Sequence, residues 1–293
     1  MKPAPFYYHA PSSLGEALGL LRDLRDDDAK VLAGGQSLMP LLNMRLARVN
    51  HLVDINGLGE LDYVRPDGDG LVIGALTRHR TLEYSAEVAS RTPLLTQALP
   101  QVGDRQVRFR GTLGGSLAHA DPVGELSTIA VALDAEIVLG SQSATRTVPA
   151  SDFFLTFLTT ALEPDELLME VRFPAPPAGS GCAFLELSRQ LGAYAIVSAA
   201  AVLTIEDGGI ASARLALGGV GATPIRARRA EAALHGQRPT TEAFMEAGRL
   251  AADDTDPAAD VHGSVAYRKE MAAVYARRAL KTAADRANGQ RSR

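Results

Sequence analysis

Two glycine pairs constrain this chain more than any other feature. The first stands in VLAGGQSLMP, Val31–Pro40, and the second in GDRQVRFRGTLGGSLAHADP, Gly103–Pro122. Without a Cβ the backbone can take positive φ and approach a ligand closely, so consecutive amide N–H groups can converge on anionic oxygens. A serine after each pair adds one more donor. A glycine pair is also ordinary material for a tight turn, and spacing alone does not show that the two segments meet. Each pair reads as lying between a strand-like run and an apolar segment, which makes a phosphate-bearing ligand more plausible than a single pair would. Neither matches the Walker A loop or the Gly-x-Gly-x-x-Gly spacing, which argues against an ordinary nucleoside triphosphatase or a Rossmann fold.

The rest of the composition narrows the classes further. With 293 residues, 46% hydrophobic and 22% charged, the chain has material for one larger and one smaller domain. A net charge of -4 with interspersed signs gives no reason to expect nucleic acid or an anionic membrane as a partner. The start, MKPAPFYYHAP, has no signal-like apolar run, and nowhere is there an uninterrupted apolar stretch long enough for a transmembrane segment, so the expected location is cytoplasmic. The only cysteine, Cys182, excludes an intrachain disulfide, a CxxC zinc site and an iron–sulfur cluster held by this chain alone. His51, His79 and His119 do not form a metal set and are assigned no chemistry, so no metal ligand and no catalytic residue is expected in this chain.

Periodicity outlines the elements. Ser13 followed by Glu16 predicts a capping box before a helix over 14–25, and 29–33 reads as a strand running into the first glycine pair. Short strands are expected at 52–55 and 71–74, a helical stretch interrupted near Pro93 over 82–99, a helix over 123–135 with Pro122 in its first turn, and a strand at 136–139. PAPPAGSG, Pro174–Gly181, is the best linker, since its prolines and glycines extend neither neighbour. Beyond it, strands are expected over 183–190, 195–205 and 211–218, with Glu206-Asp207-Gly208-Gly209 as a hairpin turn. Helices follow over 228–234, 241–252 and 264–284, the last carrying Tyr267, Met271, Val274 and Tyr275 on one face, and the tail NGQRSR is expected to fray.

VLAGGQSLMPLLNMRLARVNHLVDINGL, IGALTR, the segment Gly103–Pro122 and FLELSRQLGAYAIVSAA together resemble the FAD-binding medium subunit of the molybdenum hydroxylases, the carbon monoxide dehydrogenase and xanthine dehydrogenase family. The resemblance spans nearly the whole chain. It implies an α+β fold: a two-subdomain FAD-binding module of the vanillyl-alcohol-oxidase (PCMH) type over 1–175, then a smaller α+β domain of sheet plus helices over 180–286.

Carried over residue by residue, it assigns Ala33, Gly34, Gly35, Gln36 and Ser37 to a first pyrophosphate loop and Thr112, Leu113, Gly114, Gly115 and Ser116 to a second. Side chains at Gly34 and Gly35 would fill the space the phosphates need, and a valine at Gly114 is expected to expel FAD while the fold survives. Glu125 matches an acidic position suited to adenosine ribose hydroxyls, and Tyr194 a position beside the isoalloxazine. This chain departs from many relatives at Gly192-Ala193-Tyr194-Ala195, where a carboxylate is lost, and at Glu125, where aspartate is usual. Arg105, Arg108 and Arg110 form a basic strip that reads either as solvated surface or as a contact for phosphate or a partner subunit.

The family's division of labour puts molybdopterin and two iron–sulfur clusters in partner subunits, with this chain passing electrons from the iron–sulfur subunit to an external acceptor while the molybdenum subunit oxidises the substrate. The cysteine count fits that division. A self-sufficient flavin oxidase of the same fold is the alternative, and Gln36, where a covalent histidine link would be expected, weighs against it.

Overall fold

The computed structural model describes residues 2–291. The chain begins as β1 (Tyr7–His9), α1 (Leu14–Asp23), β2 (Ala29–Leu32), α2 (Leu38–Met44) and β3 (His51–Asp54), a parallel sheet in the order β1-β3-β2. Ser13 caps α1 by accepting from Glu16 N at 3.2 Å. Glu16 returns the bond to Ser12 N at 2.7 Å, one residue earlier than a strict capping box. The first glycine pair follows β2 directly, at the carboxyl edge of the parallel sheet.

Next come β4 (Val64–Asp67), β5 (Gly70–Gly74), α3 (His79–Glu83), α4 (Ala86–Arg91), α5 (Pro93–Ala98), α6 (Arg105–Arg110), α7 (Leu113–His119), α8 (Glu125–Ala132), β6 (Glu136–Gly140) and β7 (Thr145–Pro149). After α9 (Ala150–Phe153), a small hairpin, β8 (Phe154–Thr156) and β9 (Thr159–Thr160), leads to β10 (Leu167–Phe173). The five-stranded antiparallel sheet has the order β4-β5-β10-β6-β7. The expected helix over 82–99 is broken into short segments by Ser85, Thr92 and Pro93, and the helix expected at 123 starts at Glu125, after Pro122 rather than around it. The second glycine pair lies inside α7 and follows α6, not a strand.

The remainder is β11 (Gly181–Leu187), β12 (Val197–Glu206), β13 (Gly209–Gly218), β14 (Ile225–Arg226), α10 (Arg228–Leu234), α11 (Thr241–Asp253) and α12 (Val265–Arg291), with an antiparallel sheet in chain order. Asp207 and Gly208, at φ 50 and 79, make the tight hairpin turn between β12 and β13. Residues of β12 alternate between two cores: Ala200 and Val202 join the cluster of the first part of the chain, Ala199, Ala201 and Leu203 the cluster under α10 to α12. This sheet is therefore buried on both faces, and α8 packs on one of them.

The helix α12 buries a stripe of small residues, Ala272, Ala276, Ala279 and Ala283, while Met271 and Tyr275 are only partly buried and Tyr267 is exposed. Close approach to β11 selects the alanines: a Cβ at Gly181 would collide with the Ala283 carbonyl and the Ala287 amide. Helix α12 also continues to Arg291, where a frayed tail was expected, and Ser292 and Arg293 lie outside the described residues. Among the described residues, no helix is long and apolar enough to cross a membrane.

Candidate functional site: a cleft between two glycine loops

The loop after β2 takes its shape from Gly35, whose φ of +73 a side chain would resist. Gly34 faces the other way, into the protein. A Cβ on it would collide with the Arg110 carbonyl oxygen and stand 2.9 Å from Gly111 Cα. The glycine is thus needed for loop-to-loop contact. Gly115 packs beside the first loop, its Cβ position lying 3.5 Å from the Ala33 Cβ, while the tighter restraint there is Thr112 Oγ1 of its own loop at 2.7 Å. The two segments, remote in sequence, converge.

Polar side chains weld them together. Asn56 Nδ2 donates to the Ala33 carbonyl at 2.6 Å and to Asp54 Oδ1 at 2.6 Å. Arg78 donates to Asn56 Oδ1 at 2.8 Å and to the Arg110 carbonyl at 2.5 Å. Burial alone would raise the Asp54 pKa, but hydrogen bonds from Tyr8 and Asn56 hold it below the usual range, so it stays an acceptor. Behind the second loop, His79 Nε2 lies 2.9 Å from the Thr112 carbonyl and 3.0 Å from Ser116 Oγ. Burial pushes the His79 pKa down to about 4, with the Thr112 bond opposing, so the ring is neutral near pH 7 and donates from Nε2.

Between the loops opens a cleft of about 1210 Å³. It is lined by Ala33, Gly34, Gly35, Gln36 and Ser37 from the first loop and by Thr112, Gly114, Gly115 and Ser116 from the second, and also by Glu125 and Tyr194. Leu113 is not among these: it is fully buried, and its amide donates to the Thr77 carbonyl at 3.0 Å. The Gly114 amide likewise donates inward, to the Ala75 carbonyl at 2.9 Å, and a Cβ there would lie 2.6 Å from the Ala75 Cβ. A valine at 114 therefore strikes the core as well as the cleft. By contrast, the backbone N–H groups of Gly34, Gly35, Gln36 and Ser37 donate to no protein acceptor among the described residues. They form a row of free donors at the cleft wall, the chemistry that receives phosphate oxygens.

The two parts of the chain meet at one end of this cleft. Gly192, at φ +80, comes so near Gly103 that a Cβ would stand 2.6 Å from the Gly103 oxygen, and this contact holds the following Tyr194 at the rim. The Tyr194 side chain is 73% exposed. Its phenol pKa is raised by partial burial and by the carboxylates of Asp121 and Glu125. Burial pushes the Glu125 carboxyl up to about 7, and Asp121 adds to it. Nearby Glu186 on β11 is pushed up to about 8 by burial and then by Glu125, with the Ser188 hydroxyl opposing. Glu125 thus shares the Tyr194 end of the cleft.

His79, Asn56, Arg78 and Glu186 were not singled out as site residues in the sequence, since isolated polar residues carry no spacing that marks them. His119 lines the cleft half-buried, its pKa lowered by burial. Arg108 leaves the basic strip: it turns inward to Glu83 at 2.9 Å and to the Gly103 carbonyl at 3.0 Å. Among the described residues, no group of histidines, cysteines and carboxylates could hold a metal ion.

Comparison with known proteins places the whole chain in a family. Residues 4–176 match the family described as the FAD binding domain in molybdopterin dehydrogenase, and residues 182–283 match the CO dehydrogenase flavoprotein C-terminal domain. The 6-hydroxypseudooxynicotine dehydrogenase complex subunit alpha of Paenarthrobacter nicotinovorans is 41% identical over 98% of this chain and 97% of its own length. The carbon monoxide dehydrogenase medium chain of Hydrogenophaga pseudoflava is 40% identical over 97% of this chain and 98% of its own. The solved carbon monoxide dehydrogenase from Hydrogenophaga pseudoflava superposes with a TM-score of 0.95 at 43% identity, covering 98% of this chain and 99% of that one. With both parts of the chain matched and relatives aligned end to end, this chain belongs to the FAD-binding medium subunits of the molybdenum hydroxylases.

Proposed function

We propose that FAD lies non-covalently in the cleft between the two glycine loops, with its diphosphate on the free amides of Gly34 to Ser37 and its isoalloxazine at the Tyr194 end. The row of unbonded N–H groups carries this reading. The cleft volume of about 1210 Å³ exceeds the ~300–1,000 Å³ of ordinary small-ligand pockets and suits a dinucleotide. Thr112, Gly115 and Ser116 complete the phosphate wall, while Leu113 and the Gly114 amide support it from behind. We move Glu125 from the adenosine ribose to the flavin half, where its raised pKa keeps a proton available near pH 7. Tyr194 covers one ring face. On this reading the chain divides into an FAD-binding part over 1–175 and a smaller part over 180–286, which supplies Tyr194 to the shared cleft.

When bound, FAD accepts electrons one at a time and releases them in pairs. This chain's residues hold it, orient it and shield it from water. An iron–sulfur subunit delivers the electrons, a molybdenum subunit oxidises the substrate, and an external acceptor receives the pair; one cysteine cannot hold the clusters of that path. The test is reconstitution of the FAD-loaded chain with substrate and an artificial dye, with and without the two partner subunits. Dye reduction is expected only with both partners. Substrate-dependent reduction by this chain alone would replace this reading with the self-sufficient oxidase.

A further inference from the structure

Helix α6 has two faces with different tasks. Val107 lines the cleft and Arg108 is locked inward, while Phe109 stands 50% exposed on the outside with Arg105 and Arg110. Across from it, the Arg80 guanidinium lies 4.4 Å from the Phe109 ring centroid and 4.8 Å from that of Tyr84, whose side chain is 67% exposed. The three side chains make one stacked unit beside a hollow of about 370 Å³. Two aromatic rings and an arginine held in fixed geometry are the composition of an interface hot spot, and they lose little freedom on binding.

The charge of this face is unbalanced. Arg80, Arg105 and Arg110 enter no ion pair among the described residues. Three nearby acids are engaged: Glu83 with Arg108, Asp104 in capping α6 through Val107 N at 2.9 Å, and Asp54 with Tyr8 and Asn56; exposed Asp62 faces Arg78 but enters no ion pair among the described residues. Burial and then the neighbouring Arg110 lower the Arg78 pKa, with Asp62 and Asp54 opposing. On a chain of net charge -4, such a face selects an acidic surface.

We propose that the outer face of α3 and α6, centred on Arg80 between Tyr84 and Phe109, is the docking site for a carboxylate-bearing surface of the iron–sulfur subunit. The inference rests on the cleft being the FAD site. The position favours the electron donor over the other subunit: Val107 and Gly103 form the cleft wall at the Tyr194 end, so a protein seated on α6 is one helix, about 10 Å, from that end. The aromatic rings supply desolvated contact, and the free arginines supply steering and register.

The experiment co-expresses the chain with its iron–sulfur and molybdenum subunits, comparing wild type with Arg80→Gln/Arg105→Glu and with Phe109→Ala. Each preparation is assayed for flavin content, thermal melting and subunit stoichiometry by size exclusion. The variants are expected to keep wild-type flavin and to bind the iron–sulfur subunit at least ~100-fold more weakly. Phe109→Ala, which truncates a half-exposed ring, serves if the double variant melts early. Flavin-loaded variants that assemble at wild-type stoichiometry would overturn the inference. So would a change in the elution of the chain alone, which would assign the face to a second copy. Loss of flavin from the wild-type chain itself would overturn the cleft assignment and this inference with it.

Discussion

Gly34 rests directly on the carbonyl of Arg110, with no room between them for a methyl group. The two cofactor loops are therefore one rigid object, and the first glycine of AGGQS is held by protein rather than by ligand. Gly34→Ala should push the loops apart. The expected variant folds with a loss of about 1–3 kcal/mol, as overpacked sites do, and purifies with little flavin. Thermal melting and acid-released flavin per chain check it; full occupancy would contradict the contact.

Arg78 bridges Asn56 and the Arg110 carbonyl, and only a planar guanidinium reaches both. Arg78→Lys should keep the fold and weaken FAD by about 10–100-fold, the worth of one or two charged hydrogen bonds. Fluorescence titration of the flavin-free protein measures this.

Glu186 lies beside Glu125, and burial holds both carboxyls above their ordinary range. The folded chain then binds these protons more tightly than the unfolded chain. The resulting stabilisation is whole below pH 4.5 and is lost as pH rises through about 7 for Glu125 and about 8 for Glu186. Glu186→Gln removes one such loss. Relative to wild type, the flavin-free variant should gain about 1–3 kcal/mol near pH 9 and little near pH 5. Melting curves at the two pH values decide it; an equal shift at both would remove Glu186 from the account.

The glycine loops, the Asp207-Gly208 hairpin and most helices beyond the linker were legible because each has a local cause: a bare backbone, a required turn or an apolar period. What the sequence hid is tertiary. Nothing local to TLGGS reveals that Leu113 and Gly114 turn their amides to Thr77 and Ala75, or that the pair sits inside a helix capped by Thr112. The alanine stripe of α12 looks less hydrophobic than Tyr267 and Met271, yet the nearness of Gly181 selects it. Nor does anything local to Glu125 reveal that the fold brings it within electrostatic reach of Tyr194.

The Gly114 contact changes one expectation in kind. Because a side chain there would meet Ala75, Gly114→Val should lower the yield of folded protein and its melting temperature as well as its flavin. Circular dichroism and melting of the purified variant test this, and a native-like melt without flavin would restore the simpler reading in which only phosphate is displaced.

The central claim is that FAD sits in this cleft without a covalent bond, against the free amides of Gly34 to Ser37. Acid precipitation of the purified chain, with flavin quantified in supernatant and pellet, tests it most directly. The account predicts about one FAD per chain in the supernatant and a colourless pellet; a chain that purifies without flavin, or a pellet that keeps its colour, would contradict it.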